Sequence, residues 1–177
     1  MDEELKQEIL YGRDHDRARV FISSRMNKTL DNERRAAADA VDRVSGHKAW
    51  WWEQDAPIGV LHSWNECIGF ARTSTGLILL VAGELSAIVY AEYQAARDGG
   101  ADRYILVRET DDLPPEVAGF IKEQQKTEAV TRNFRNIDEL QTHIHQALTR
   151  SLVRALNEQV VARRGAGRRT SKRFGRR

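Results

Sequence analysis

Gly76-Leu-Ile-Leu-Leu-Val-Ala-Gly-Glu-Leu-Ser-Ala-Ile-Val-Tyr-Ala-Glu92 decides the fold of this chain. Its apolar run, Leu77 to Ala82, stops at Gly83; Ser86 can cap a helix, and a carboxylate follows six residues later at Glu92. The run has the length of one strand and no polar alternation. That is the pattern of a strand buried on both faces, in a parallel sheet covered by helices. Open parallel sheets bind ligands in the crevice beyond the carboxyl ends of their strands. A Glu near the start of the helix leaving such a strand lies beside that crevice, so Glu92 is the first candidate for chemistry.

Working outward, Arg19-Val-Phe-Ile-Ser-Ser24 reads as the first strand. A helix follows from about Thr29 to Ser45, with Leu30, Ala37, Val41 and Val44 on one face and Gly46 as its stop. Lys48-Ala-Trp-Trp-Trp-Glu53 is a short aromatic strand, and Asp55-Ala-Pro-Ile-Gly59 a loop. A helix from about Leu61 to Thr73 leads into Leu77–Ala82, and the next, about Ala87 to Asp98, ends at Gly99-Gly100. Arg103 to Arg108 is the fourth strand, Pro114-Pro115 opens a short helix to about Gln124, and Ala129–Phe134 is the fifth strand. Asn136 caps the last helix, with Glu139 three residues on in a capping-box arrangement. Ile137, Leu140, Ile144, Leu148, Leu152 and Leu156 then run down one stripe to about Val161. Strands alternating with helices at these spacings give a doubly wound α/β fold with five parallel strands.

Length and composition limit the alternatives. A chain of 177 residues can bury one core without staples. The single cysteine, Cys67, excludes a disulfide framework or a cysteine-cluster metal site within the chain. No apolar stretch approaches a membrane span or resembles a signal peptide, so the expectation is a cytoplasmic protein without a membrane segment. The formal net charge of +2 hides an asymmetry: eight of the 28 basic residues lie between Arg163 and Arg177, where no acidic residue occurs. The expected organisation is a charged N-terminal arm (1–18), an α/β domain (19–162) and a disordered basic tail (163–177). Such a tail can contact nucleic acid, membrane phosphates or an acidic partner, or simply keep the chain soluble.

Three strand ends converge on one edge of the sheet. The first offers Ser23, Ser24, Arg25 and Met26, the second Glu53, and the third Gly83, Glu84 and Ser86 with Glu92 behind them. Small hydroxyl residues and glycine at such positions let backbone N–H groups approach phosphate or ribose. The glycine-rich fingerprints of dinucleotide-binding and P-loop proteins are missing, which argues against a conventional dehydrogenase or ATPase. Glu92 shares its helix face with Ile88 and Ala95. Burial among apolar neighbours would raise its pKa, and such a carboxylate can act as nucleophile or stabilise an oxocarbenium-like centre. Trp50, Trp51 and Trp52 read as core, with base stacking by one of them as the alternative. His62 and Trp64 either line the pocket or pack and cap. His143 and His145, two apart on a helix, make a poor metal pair, and no metal site is expected.

Val20-Phe-Ile-Ser-Ser24, Leu30 with Glu33-Arg34 on the following helix, the strand ending at Glu53, and the segment Thr75 to Val107 with Glu92-Tyr93-Gln94-Ala95-Ala96 together resemble the TIR-like domains found at the N-termini of bacterial signalling and defence NTPases. These domains are similar in fold to nucleoside 2-deoxyribosyltransferases and TIR NADases. The resemblance implies a flavodoxin-like sheet of order 2-1-3-4-5, a nucleotide or NAD as substrate or ligand rather than a bound cofactor, and self-association into a homo-oligomer. In that wider group a Glu on the helix after the third strand attacks or stabilises the ribose anomeric carbon, and the matching position here is Glu92. Ser23, Ser24 and Arg25 would then hold phosphate or ribose, Gly83 and Ser86 would shape the pocket, and Trp64 would meet a base. The chain departs from the group where Glu84, Leu85 and Ser86 replace Asp and Gly-Thr, and where Val89-Tyr90-Ala91 replaces Ser-x-Trp-Cys. Two functions follow as expectations: cleavage of the N-glycosidic bond of NAD or a related nucleoside or nucleotide, in antiviral defence or signalling, or a non-catalytic nucleotide-sensing or self-associating module.

Overall fold

The computed structural model describes residues 8, 10–12, 16–56, 63–109, 112–127 and 129–171, the last seven of these as backbone only. It contains one five-stranded, all-parallel sheet in the order β2-β1-β3-β4-β5. The strands are β1 (Ala18–Ser24), β2 (His47–Trp50), β3 (Gly76–Val81), β4 (Asp102–Arg108) and β5 (Val130–Phe134). The helices are α1 (Asp31–Asp42), the short α2 (Trp52–Asp55), α3 (Ser63–Thr73), α4 (Ala87–Asp98), α5 (Pro115–Gln124) and α6 (Ile137–Ser171). This is a doubly wound, flavodoxin-like α/β fold. The expected class, strand order and long C-terminal helix all hold.

Every residue of β3 is buried, as the unbroken apolar run requires of a central strand with helices on both sides. One face carries α1 against β1 and β2, and Gln141 Nε2 donates to the Ala36 carbonyl, bringing the start of α6 to the same face. The other face carries a core formed by Phe21, Leu77, Leu79, Val81 and Ile105 with Cys67, Val89, Tyr93 and Ile121 from α3, α4 and α5. Trp50 stacks between Phe21 and Phe70, with ring centroids 4.8 and 4.7 Å away. Of the three tryptophans only Trp50 is in a strand and fully in the core; Trp51 and Trp52 are half-buried.

The expected second strand ended at Glu53; the observed one ends at Trp50. The Asp55 carboxylate accepts the Trp51 N–H at 2.9 Å, which turns the chain into α2 and lifts Glu53 off the strand. The N-terminal arm is also more engaged than its charge suggested. Tyr11 is buried on α3, its ring edge-on to Phe70. Arg19 donates to the Tyr11 and Gly12 carbonyls at 2.9 and 2.8 Å. The last helix, expected to stop near Val161, continues through Ser171, so helix occupies the first nine positions of the expected disordered tail. Arg and Ala are good helix formers, and the isolated glycines among them are tolerated within the helix. The remaining tail, the Pro57-Ile-Gly59 loop, His62 and most of the first fifteen residues lie outside the described residues. The chain divides into two compact units, Met1–His145 with the sheet and Gln146–Arg177 with the rest of α6. Among the described residues no helix is long and apolar enough to cross a membrane.

Candidate functional site

The strand order reverses direction between β1 and β3, and the crevice of a doubly wound sheet opens there. Their register pairs Ser23 with Leu79 and Ser24 with Leu80, so both serines sit at the carboxyl edge. Successive strand residues face opposite sides, and the two serines therefore serve different neighbourhoods.

Ser23 faces the α3/α4 side, where its hydroxyl donates to Glu92 Oε2 at 2.5 Å. Glu92 is 6 % exposed, on the buried face of α4 with Val89, Tyr93, Ala95 and Ala96. Burial raises its pKa from the ordinary 4.5 to about 7, against the opposing pull of hydrogen bonds from Ser23 and from the Cys67 thiol of α3. The thiol is pushed up in turn, first by its own burial and then by the neighbouring carboxylate. A carboxyl poised near neutrality at a switch point can hold a proton or stabilise a cationic centre.

Ser24 faces the α1 side and receives a hydrogen bond of 3.0 Å from Arg34. The side chain of Arg34 is almost entirely buried and also pairs with Glu53 and Asp31, each at 2.5 Å. The resemblance motif Glu33-Arg34 thus acquires a physical role. Arg34 ties the ends of β1 and α2 together, while Glu33 pairs with Arg108 at the end of β4, 2.9 Å away. Ser24 and Glu53 belong to this framework and are not gathered around Glu92.

Arg25 follows directly after β1 and spans to Glu84 after β3, forming an exposed ion pair of 2.5 Å. Gly83 makes the turn at φ +90°, a left-handed conformation costly for any side chain with a Cβ. Ser86 stands at the N-cap of α4 without bonding its own helix, and the first turn of α4 carries no acidic residue. Met26 and Trp64 are exposed, the latter in the first turn of α3. No group of three or more potential metal ligands exists among the described residues, and the His143 ring bonds the Asn133 carbonyl instead.

The expected residues therefore separate into a buried pair (Ser23, Glu92), a rim (Arg25, Gly83, Glu84, Ser86) and a framework (Ser24, Glu53). Sequence reasoning missed Arg34 and the contact of Cys67 with Glu92. Arg34 stood in the quoted motif without a role, and nothing local marks Cys67 as a neighbour of α4.

No protein-family model and no curated protein matches the chain. A metal-soaked flavodiiron core from Synechocystis sp. PCC6803 resembles its fold with a TM-score of 0.44 at 10 % identity, over 84 % of this chain. The match spans only 39 % of that structure's own length, and likeness at this level says nothing about chemistry.

Proposed function

We propose that the chain is a TIR-like, nucleotide-processing enzyme that cleaves the N-glycosidic bond of NAD or a related nucleotide, with Glu92 as the catalytic carboxylate. The observation that carries this reading is the buried Glu92 carboxyl, bonded to Ser23 at the switch point of the sheet and raised to a pKa of about 7. In such a cleavage the bond between ribose C1′ and the nicotinamide nitrogen breaks, and its electron pair leaves with the neutral base. The Glu92 carboxylate stabilises the positive charge left on the ribose. Water then adds to C1′ and releases a proton, which the carboxylate can accept. Ser23 orients the carboxylate and opposes its protonation. Incubation with NAD should release nicotinamide, and Glu92→Gln should remove that activity by a factor of at least about a hundred. Release undiminished in Glu92→Gln would contradict the assignment.

A second reading, a nucleotide-sensing module that self-associates, is favoured by one observation. The cations of this edge already have protein partners: Arg25 with Glu84, Arg34 with Glu53, Arg108 with Glu33. It calls for assembly that depends on nucleotide, read by sedimentation with and without NAD, and for no nicotinamide release. Contact of nucleic acid with the basic C-terminal segment is a separate proposal; it requires salt-sensitive binding that disappears when 163–177 are removed.

A further inference from the structure

The cations at the carboxyl edge differ in how firmly they are held. Arg34 is buried in a framework of Ser24, Asp31 and Glu53. Arg108 is mostly covered and holds both Glu33 and the Thr29 carbonyl. Arg25 has one carboxylate partner, Glu84, and the two side chains are 40 % and 64 % exposed. An ion pair so open to water is weak and easily exchanged. Its place is nevertheless specific. It joins the segments that follow adjacent strands β1 and β3, and Arg25 lies two residues along the chain from Ser23, the partner of Glu92. The N-terminus of α4 begins just beyond Glu84, with no acidic residue in its first turn and the Ser86 hydroxyl not spent on capping. Helix polarity there also favours an anion.

We propose that Glu84 is an internal competitor for a ligand's phosphate. Its carboxylate occupies Arg25 across the crevice mouth until a phosphate takes its place, which makes Arg25 the specificity-determining residue that selects nucleotides over nucleosides. A phosphate group offers Arg25 more charge and more acceptor oxygens than one carboxylate, and the guanidinium can grip it through two parallel bonds. Glu84, released, swings into solvent. The exchange sets a threshold: neutral nucleosides cannot open the pair, and weakly charged anions open it poorly. This inference deepens the reading of Glu92 as the catalytic centre and rests on it for the identity of the ligand.

Inorganic pyrophosphate is a suitable probe because it carries the charge and lacks any glycosidic bond. Calorimetric titration of the full chain should show binding that weakens with salt. It should be about two- to fivefold tighter in Glu84→Gln, where an exposed ion pair no longer competes. Arg25→Gln should lose at least about tenfold, and Arg25→Lys should recover only part of that loss. The preference for ADP over adenosine should shrink in Arg25→Gln by the same factor. Equal pyrophosphate affinity in wild type, Glu84→Gln and Arg25→Gln, or binding to none of them, would overturn the proposal. The outcomes separate the two readings. If the titrations behave as stated and NAD is not cleaved, the glycosidic chemistry is wrong and the competitor stands. If NAD is cleaved and the three affinities are equal, the competitor is wrong and the chemistry stands.

Discussion

Glu92 concentrates the chemistry of this protein into one ionisation. Its carboxyl titrates near 7 in the folded chain and near 4.5 when unfolded, because burial penalises the charged form more than Ser23 and Cys67 favour it. Between those values the folded state binds more protons than the unfolded state. The group's burden on stability is therefore absent below about pH 4.5, grows as pH rises, and is complete above about 7. The full difference corresponds to about 3 kcal/mol. Glu92→Gln, which cannot ionise, should thus gain stability over wild type at pH 8 and little at pH 4.5, as read by urea melts at both pH values. A pH-independent difference would mean that the carboxyl is not held as described. Ser23→Ala removes a bond that favours the charged form, so the Glu92 pKa should move above 7, measurable by carboxyl NMR. The suspicion that fell on Glu92 came from local spacing, strand to glycine to serine to carboxylate. Its partner Ser23 lies 69 residues away and is brought in only by the pairing of β1 with β3. The role of Cys67 was illegible for the same reason, since nothing in α3 announces which face of α4 it meets.

At the scale of elements, α3 and α4 must pack tightly for Cys67 and Glu92 to meet. Gly99, at the end of α4, lies against the backbone of α3: a Cβ there would lie 1.9 Å from the Arg72 carbonyl oxygen. Both sides of that contact are backbone and cannot swing away. Gly99→Ala should cost about 1–3 kcal/mol or more by overpacking, visible as a lower urea midpoint. It should also move the Glu92 ionisation, because the two helices separate where Cys67 donates. Helices and strands were legible where burial imposes a period or an unbroken apolar run, as in β3 and in the α6 stripe of Leu140, Ile144 and Leu148. They were not legible where one side chain redirects the backbone. Asp55 ends β2 early by taking the Trp51 N–H, and the sequence Trp50-Trp51-Trp52 gives no hint of it. Asn136, by contrast, caps α6 as expected, its Oδ1 accepting the Glu139 N–H at 2.9 Å, while the Glu139 carboxylate accepts the Arg135 N–H rather than that of Asn136.

Across the whole molecule, the sheet and its site lie in one compact unit that ends at His145, and the basic segment lies in the other. Removing 163–177 takes away eight of 28 basic residues against 26 acidic ones, changing the formal net charge from +2 to −6. The truncated chain should melt within about 0.5 kcal/mol of the full chain, because the segment lies outside the compact unit that holds the sheet. A loss larger than that would show that the segment supports the fold. Five parallel strands were legible from the alternation of strands and helices, whereas their order, 2-1-3-4-5, came from the family resemblance and is the order observed. The division of the site was not legible. Ser23 and Ser24 are neighbours in sequence, yet strand alternation sends one to Glu92 and the other to Arg34.

The pH dependence of nicotinamide release from NAD, followed in wild type and in Ser23→Ala, bears most directly on Glu92 as the catalytic carboxylate. If the ionised carboxylate stabilises the ribose cation, wild-type kcat/KM rises through a single ionisation near pH 7, and the Ser23→Ala profile is displaced to higher pH. A wild-type profile flat between pH 5 and 9, or one that Ser23→Ala leaves in place, would contradict it.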